Sequence, residues 1–218
     1  MVSMDLELII QSFPLFLRGL QETMLIAVIS IIIGIAGGIP FGIIRCSKNK
    51  IIQLISRIYV EIFRVFPILV LLFIFFFGLP VFLNIDTSGR TTSIIVFSLW
   101  AISEVGEVVR GAFQSIHKSQ RESGEALGLN KTNLYLYVII PQAVKRMIPT
   151  TINICIRIIK TTSLTILIGV TEVIKVGQQI IERTGEALTI YTALFIMYFL
   201  ICYPLSKWSR RLEERWVV

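Results

Sequence analysis

Apolar residues in this chain gather in long blocks, with neither the short alternation of strands nor the one-sided stripe of a surface helix. Five blocks approach the roughly 20 apolar residues needed to cross a hydrocarbon layer about 30 Å thick. They cover 22–44, 58–77, 91–113, 149–173 and 188–206. The pattern predicts an all-α membrane protein with five transmembrane helices. Ahead of the first block, 1–18 is expected as an external segment; Asp5 and Glu7 stand where a signal peptide would carry basic residues, so the block reads as a permanent span. Two connections are short: 78–90, with Pro80, Asn84, Asp86 and Gly89 as turn residues, and 174–187. One hydrophilic excursion, 114–148, is long, and 208–218 forms a polar tail. No linker, repeat or low-complexity tract interrupts this order.

Composition agrees with the blocks. Of 218 residues, 55% are apolar and 16% charged, against about 25% charged in soluble domains. Fourteen of the 21 lysines and arginines fall in the connection after the first block, from Arg110 through the long excursion, and from Lys207 through the tail, while Arg18, Arg90, Lys175 and Arg183 lie on the other side. Cytoplasmic loops carry the basic excess, so the N-terminus is expected outside and the C-terminus in the cytoplasm. The net charge of +7 is therefore a topology signal, with the lipid bilayer as partner and no nucleic acid. One histidine and three scattered cysteines (Cys46, Cys155, Cys202) provide no metal-ligand spacing and no catalytic set around His117. No Gly-x-x-x-x-Gly-Lys-Ser/Thr loop is present, so no ATP site and no cofactor are expected in this chain.

Ionisable groups within the blocks need partners or a purpose, because each costs a few kcal/mol in hydrocarbon. At 1.5 Å per residue Glu104 lies roughly 20 Å along the third block, with Glu107 on the same face. Arg157 and Lys160 lie roughly 12 and 16 Å from the inner end of the fourth. The depths suggest two tiers: Glu61, Arg64, Glu107 and Arg110 near the cytoplasmic end, and Glu104, Arg157 and Lys160 higher, around a pathway. Both tiers can be internal pairing that holds the helices together; Glu104 can alternatively meet a substrate ammonium. Thr161, Thr162 and Ser163 either bond back to their own helix or line a polar cavity opposite Glu104. Gly34, Gly37, Gly38 and Gly42 point to close helix packing, and Pro67 to a kink in the second span.

The excursion predicts a short helix over 119–127, closed by Gly128, and a second helix capped by Asn130 or Thr132, with Pro141 and Pro149 breaking the chain before the fourth span. Glu122-Ser-Gly-Glu-Ala-Leu-Gly128, followed by Ile140-Pro141, resembles the EAA loop of ABC-importer permeases. Glu107-Val-Val-Arg110-Gly111, Tyr59-Val-Glu61-Ile-Phe-Arg64-Val-Phe-Pro67 and Lys160-Thr-Thr-Ser163-Leu164 are similar to the polar amino acid branch of that family. The likeness runs over 19–207. Ser123 and Gly124 stand where alanines are usual, Val65 and Phe66 where Gly-Thr is common, and Thr161 where an aspartate often follows the lysine.

The resemblance implies the transmembrane domain of a type I ABC importer, multi-pass in the bacterial inner membrane, and no enzyme in itself. Its implied partners are an ABC ATPase subunit carrying ATP and magnesium, a second permease subunit as homo- or heterodimer, and an extracytoplasmic substrate-binding protein. Coupling to the ATPase is implied for Glu122, Ser123, Gly124, Glu125, Ala126 and Gly128. The substrate pathway is assigned to Arg64, Pro67, Glu104, Glu107, Arg157, Lys160, Thr161, Thr162 and Ser163. Other readings are a permease for another small solute such as a quaternary amine, a membrane-embedded enzyme, or a small channel.

Overall fold

The computed structural model describes residues 2–216, and these hold helices and turns with no strand. α1 (Val2–Arg45) is one continuous helix that includes Pro14 and Pro40, so the expected first span has no break from the residues preceding it. It lies along α4 (Gly89–Ser115), and glycine makes that approach possible. A Cβ on Gly38 would stand 2.6 Å from the Val105 Cβ, and one on Gly42 would stand 2.7 Å from the Gly106 carbonyl oxygen. Gly34 faces Ala101 in the same way. Close backbone approach through small residues is the usual basis of helix pairing in lipid.

The second block is two helices. α2 (Lys50–Val65) is capped by Asn49, whose side chain accepts from the Ile51 N–H at 2.9 Å. α3 (Ile68–Leu83) leaves it at 103°. The residue before a proline is pushed out of the helical region, and Phe66, before Pro67, is extended at ψ 137°. The expected kink is thus a full break. Among the described residues four helical stretches are long and apolar enough to cross a membrane, Glu7–Arg45, Gly89–Ser115, Lys131–Ile168 and Ala187–Trp216; the bent α2–α3 pair is a fifth if it counts as one span.

Beyond α4 the chain forms α5 (Lys118–Ala126) and α6 (Lys131–Leu134), then a π turn over Tyr135–Ile139 that runs directly into α7 (Ile140–Thr161). The expected break at Pro141 and Pro149 does not occur. In the π turn the Ile140 N–H donates to the Tyr135 carbonyl, five residues back. The register shift places Pro141 in the first turn of α7, where its missing N–H removes nothing. Pro149 stays inside α7, and its carbonyl accepts from the Ser209 hydroxyl at 3.0 Å. A 3-10 turn (Thr162–Ile168) ends at Gly169 with φ +80°. The expected outer loop over 174–187 is mostly helix, α8 (Val173–Thr184), capped by the buried Glu172. α9 (Ala187–Trp216) closes the fold and includes the start of the expected tail.

One apolar core is built on α1, α3, α4, α7 and α9, with Leu72, Val96, Phe97 and Ile158 at its centre. A smaller one joins Phe16 of α1 to α8 and α9. Large apolar groups such as Ile74, Phe77, Phe195 and Leu200 stay exposed on the outer faces, as lipid-facing positions do. Placing a methyl group at Gly38 (Gly38→Ala) should lower stability by about 1–3 kcal/mol through overpacking. At Gly111, also in α4 but with nothing within 4 Å, Gly111→Ala should raise it by about 0.5–1 kcal/mol through helix propensity. Thermal unfolding of the two variants in detergent checks the opposite signs.

Candidate functional site

The ionic groups of α4 form one cluster, not two tiers. Glu107, 19% exposed, pairs with Arg45 at the end of α1 and accepts from Arg110 Nε and Arg110 Nη2 at 2.9 and 3.0 Å. Arg64, in the last turn of α2, lies 3.5 Å from Glu107 and 3.7 Å from Glu104. Glu104 also pairs with Arg157 of α7, whose guanidinium sits 5.1 Å over the Trp100 ring. Four helices thus meet on two carboxylates. Arg64, Glu104, Glu107 and Arg157 border a cavity of 480 Å³ together with Thr150 and Asn153. Glu61, expected in the cluster, pairs instead with the exposed Arg57 at 3.8 Å and is itself 59% exposed. Arg45 was counted only as a basic residue of the following connection; its closeness to Glu107 depends on how α1 crosses α4, which the sequence does not display.

Lys160 faces another cavity. It shares 620 Å³ with Asn153, Ser163, Tyr198, Phe199 and Tyr203 between α7 and α9, and has no carboxylate within 4.0 Å among the described residues. The three hydroxyls bond back to their own helix: Thr161 to the Arg157 carbonyl at 2.8 Å, Thr162 to Ile159 at 2.7 Å and Ser163 to Lys160 at 2.8 Å. Thr162 is buried, and among the three only Ser163 borders a cavity with Lys160. Pro67 sits at the α2–α3 break.

The residues for which the sequence implies coupling, 122–126 and Gly128, lie on an exposed elbow. His117 caps α5, its Nδ1 accepting from the Ser119 N–H at 3.3 Å. Glu122 pairs with Lys118 at 3.0 Å, while Ser123, Glu125, Ala126 and Gly128 face outward. Gly128 has φ +75°, closing α5 as glycine does at a helix end. Asn130, not Thr132, caps α6, its side chain accepting from the Asn133 N–H at 2.8 Å. Gly124 is buried against Leu134, which gives a packing reason for a glycine where alanine is usual. Burial pushes the Cys46 thiol up against the pull of the Arg110, Arg121 and Arg45 cations, which keeps it a poor nucleophile. A further residue escaped the sequence reading: Glu172 is fully buried and accepts from the Ile174 and Lys175 N–H groups at 2.9 and 2.8 Å, while the Val173 N–H reaches Thr23 Oγ1 at 3.2 Å. Its position as an acidic residue inside the end of the fourth apolar block, 149–173, was the available signal.

Residues 34–218 match the family described as binding-protein-dependent transport system inner membrane component. The glutamine transport system permease protein GlnP of Escherichia coli (strain K12) is 36% identical over 205 residues, covering 94% of both chains. The probable amino-acid ABC transporter permease protein YckA of Bacillus subtilis (strain 168) is 31% identical over 210 residues, 96% of this chain and 92% of that one. Among solved structures, an amino acid ABC transporter with histidines aligns with a TM-score of 0.87 at 26% identity over 95% of this chain and 96% of that one. The inward-facing MetNI methionine ABC transporter, at 19% identity and a TM-score of 0.74 over 94% and 97%, shares the fold.

Glu107→Gln leaves two guanidiniums that are 9% and 31% exposed without their carboxylate, and should cost about 3 kcal/mol, the low end for breaking a buried pair. Glu61→Gln, at a side chain 59% exposed, should change stability by less than about 0.5 kcal/mol. Thermal unfolding of the two variants in the same detergent separates them.

Proposed function

Because the chain belongs to the binding-protein-dependent transport system inner membrane components, we propose that it is the permease subunit of an ATP-driven importer of amino acids. Five spans, counting the bent α2–α3 pair as one, then place the N-terminus outside and the elbow and C-terminus in the cytoplasm, as the basic residues favour. The observation that carries the reading is mechanical: the exposed elbow over Glu122–Gly128 leads into α6, which runs through the π turn into spanning helix α7 without a break. A separate ATPase subunit, binding ATP with magnesium, grips that elbow. Displacement of the elbow becomes displacement of α7, and Arg157 on α7 moves relative to Glu104 on α4. A substrate-binding protein supplies solute at the outer face, and a second permease subunit completes the path.

The solute meets a site that is already ion-paired. Glu104 holds Arg157 and Arg64, both about half-exposed. A substrate ammonium competes with these guanidiniums for the carboxylate, and the carboxylate of the solute takes the freed arginine, so an amino acid exchanges one ion pair for two. Lys160 and Ser163 offer a second polar station toward α9. Close relatives bearing glutamine and amino-acid transport names support amino acids over a quaternary amine, which lacks N–H donors; competition of uptake by amino acids against such an amine discriminates the two.

In vesicles loaded with the ATPase subunit, Glu104→Gln should raise the KM for a zwitterionic or cationic amino acid about tenfold or more, the worth of one charge-assisted hydrogen bond; an unchanged KM for every such solute removes Glu104 from the path. Gly128→Asp should strain a backbone held at positive φ by about 1–2 kcal/mol and strip the ATPase subunit from the purified complex, and full retention would detach the elbow from coupling.

A further inference from the structure

At the elbow end of the fold, a second polar cavity stands apart from the proposed pathway. It measures 490 Å³ and lies where the end of α1, the first turns of α2 and the end of α4 converge. Arg45, Lys50, Arg57 and Arg110 border it, with Gln53 and Gln114, and no carboxylate does. Glu107, on the far side of Arg45 and Arg110, is shared among three guanidiniums and neutralises one charge; Glu61 faces Arg57 from 3.8 Å. Lys50 has no carboxylate within 4.0 Å among the described residues. The cavity therefore carries an uncompensated positive excess. Within it the Arg45 side chain is 9% exposed, and its Nε is buried with no hydrogen-bond partner. A buried donor left unpaired costs about 1–3 kcal/mol, so an acceptor belongs there.

The surroundings identify the acceptor. Ile51, Leu54, Ile55 and Ile58 follow the i, i+3, i+4, i+7 spacing of one helix face, and all four are more than half exposed. Leu54 borders both that stripe and the cavity. A ligand suited to both surfaces has a phosphate-type head and a hydrocarbon body. Basic pockets between spanning helices at the cytoplasmic surface are where anionic headgroups bind. A soluble phosphate would leave the α2 stripe uncovered, and an acidic protein segment would set charges against isoleucine.

We propose that this cavity holds the phosphate headgroup of an anionic phospholipid, with its acyl chains along the Ile51–Ile58 face of α2. The inference rests on the cytoplasmic placement of the elbow in the proposed function. The phosphate would accept from Lys50, Arg57 and the free Nε of Arg45, and would tie α1, α2 and α4 together beside the cluster on Glu107.

The test uses the intact permease–ATPase complex, purified from vesicles of equal phosphatidylglycerol and phosphatidylcholine, with retained lipid counted by native mass spectrometry. Preferential retention of phosphatidylglycerol is expected. Each basic group near an anionic surface is worth about fivefold in affinity, so Lys50→Gln with Arg57→Gln should lower the preference about thirtyfold. Both side chains lie outside the coupling and pathway residues, and thermal unfolding verifies that the double variant is folded. Leu54→Ser, which removes an apolar contact beside the cavity, should weaken lipid retention. No preference for phosphatidylglycerol, or an undiminished one in the double variant, overturns the assignment. Displacement of the lipid by inorganic phosphate at comparable concentration makes the cavity an ion site and overturns it as well. So does loss of the ATPase subunit from the double variant with lipid retention intact, which would mark a protein-docking surface. Labelling of Ser47→Cys by an impermeant reagent reports separately on orientation: labelling from outside would overturn the topology of the proposed function, whereas absence of a phosphatidylglycerol preference in the unsubstituted complex overturns the pocket alone.

Discussion

Two carboxylates one turn apart on α4 cannot stand in hydrocarbon unless cations reach them, and that requirement organises the elbow-side half of this protein. Glu104 and Glu107 draw Arg45 from α1, Arg64 from α2, Arg110 from α4 itself and Arg157 from α7. Desolvation of a charge costs several kcal/mol and is recovered only with good geometry, so each pairing limits where its helix can lie. The glycine-lined contact of α1 with α4 brings Arg45 into range, and the break at Pro67 sets the direction from which Arg64 arrives.

Exposure divides the cluster. Arg45 is 9% exposed and Arg110 31%, whereas Arg64 and Arg157 are 53% and 50% exposed. The first two hold Glu107 within the packed α1–α4 contact. The last two reach Glu104 across a cavity, Arg64 bridging to Glu107 as well, from helices that carry the α2–α3 break and the elbow. Pairs in water are weak and those out of water are strong, so the Glu104 half can exchange partners while the Glu107 half keeps the frame. The same fold therefore contains a fixed hinge and a labile contact within one turn of a single helix.

Much of this was legible in the sequence, and the rest was hidden for identifiable reasons. Blocks of apolar residues are a strong signal because hydrocarbon admits little else, and four of the five expected spans correspond to long helices. The elbow was legible because Gly128 and Asn130 act locally, through a positive φ and a side-chain cap. Pro141 was misleading as a helix breaker because a π turn places it in the first turn of α7, and Pro149 because the 22-residue helix packed between α4 and α9 carries through it. Two tiers of charge merged because depth along a helix ignores the reach of an arginine, which spans about one helical turn. Lys160 and Arg157, three residues apart, face different cavities because α7 is buried between α4 and α9 and offers each a side.

The elbow and the cluster are connected by more than proximity. α4 runs into α5 across only Ile116 and His117, and α6 runs into α7 through the π turn, so both arms of the elbow are extensions of the helices bearing Glu104 and Arg157. Leu134, Ile139 and Ala143 from the α7 arm pack with Ala112 and Ile116 from the α4 arm. A force on the elbow cannot move one arm without working against this small core. A packed contact of that kind shifts between discrete arrangements and does not deform smoothly. The Glu104–Arg157 pair spans the same two helices, partly wet and outside that core, so it is the contact that a relative movement of α4 and α7 would strain first.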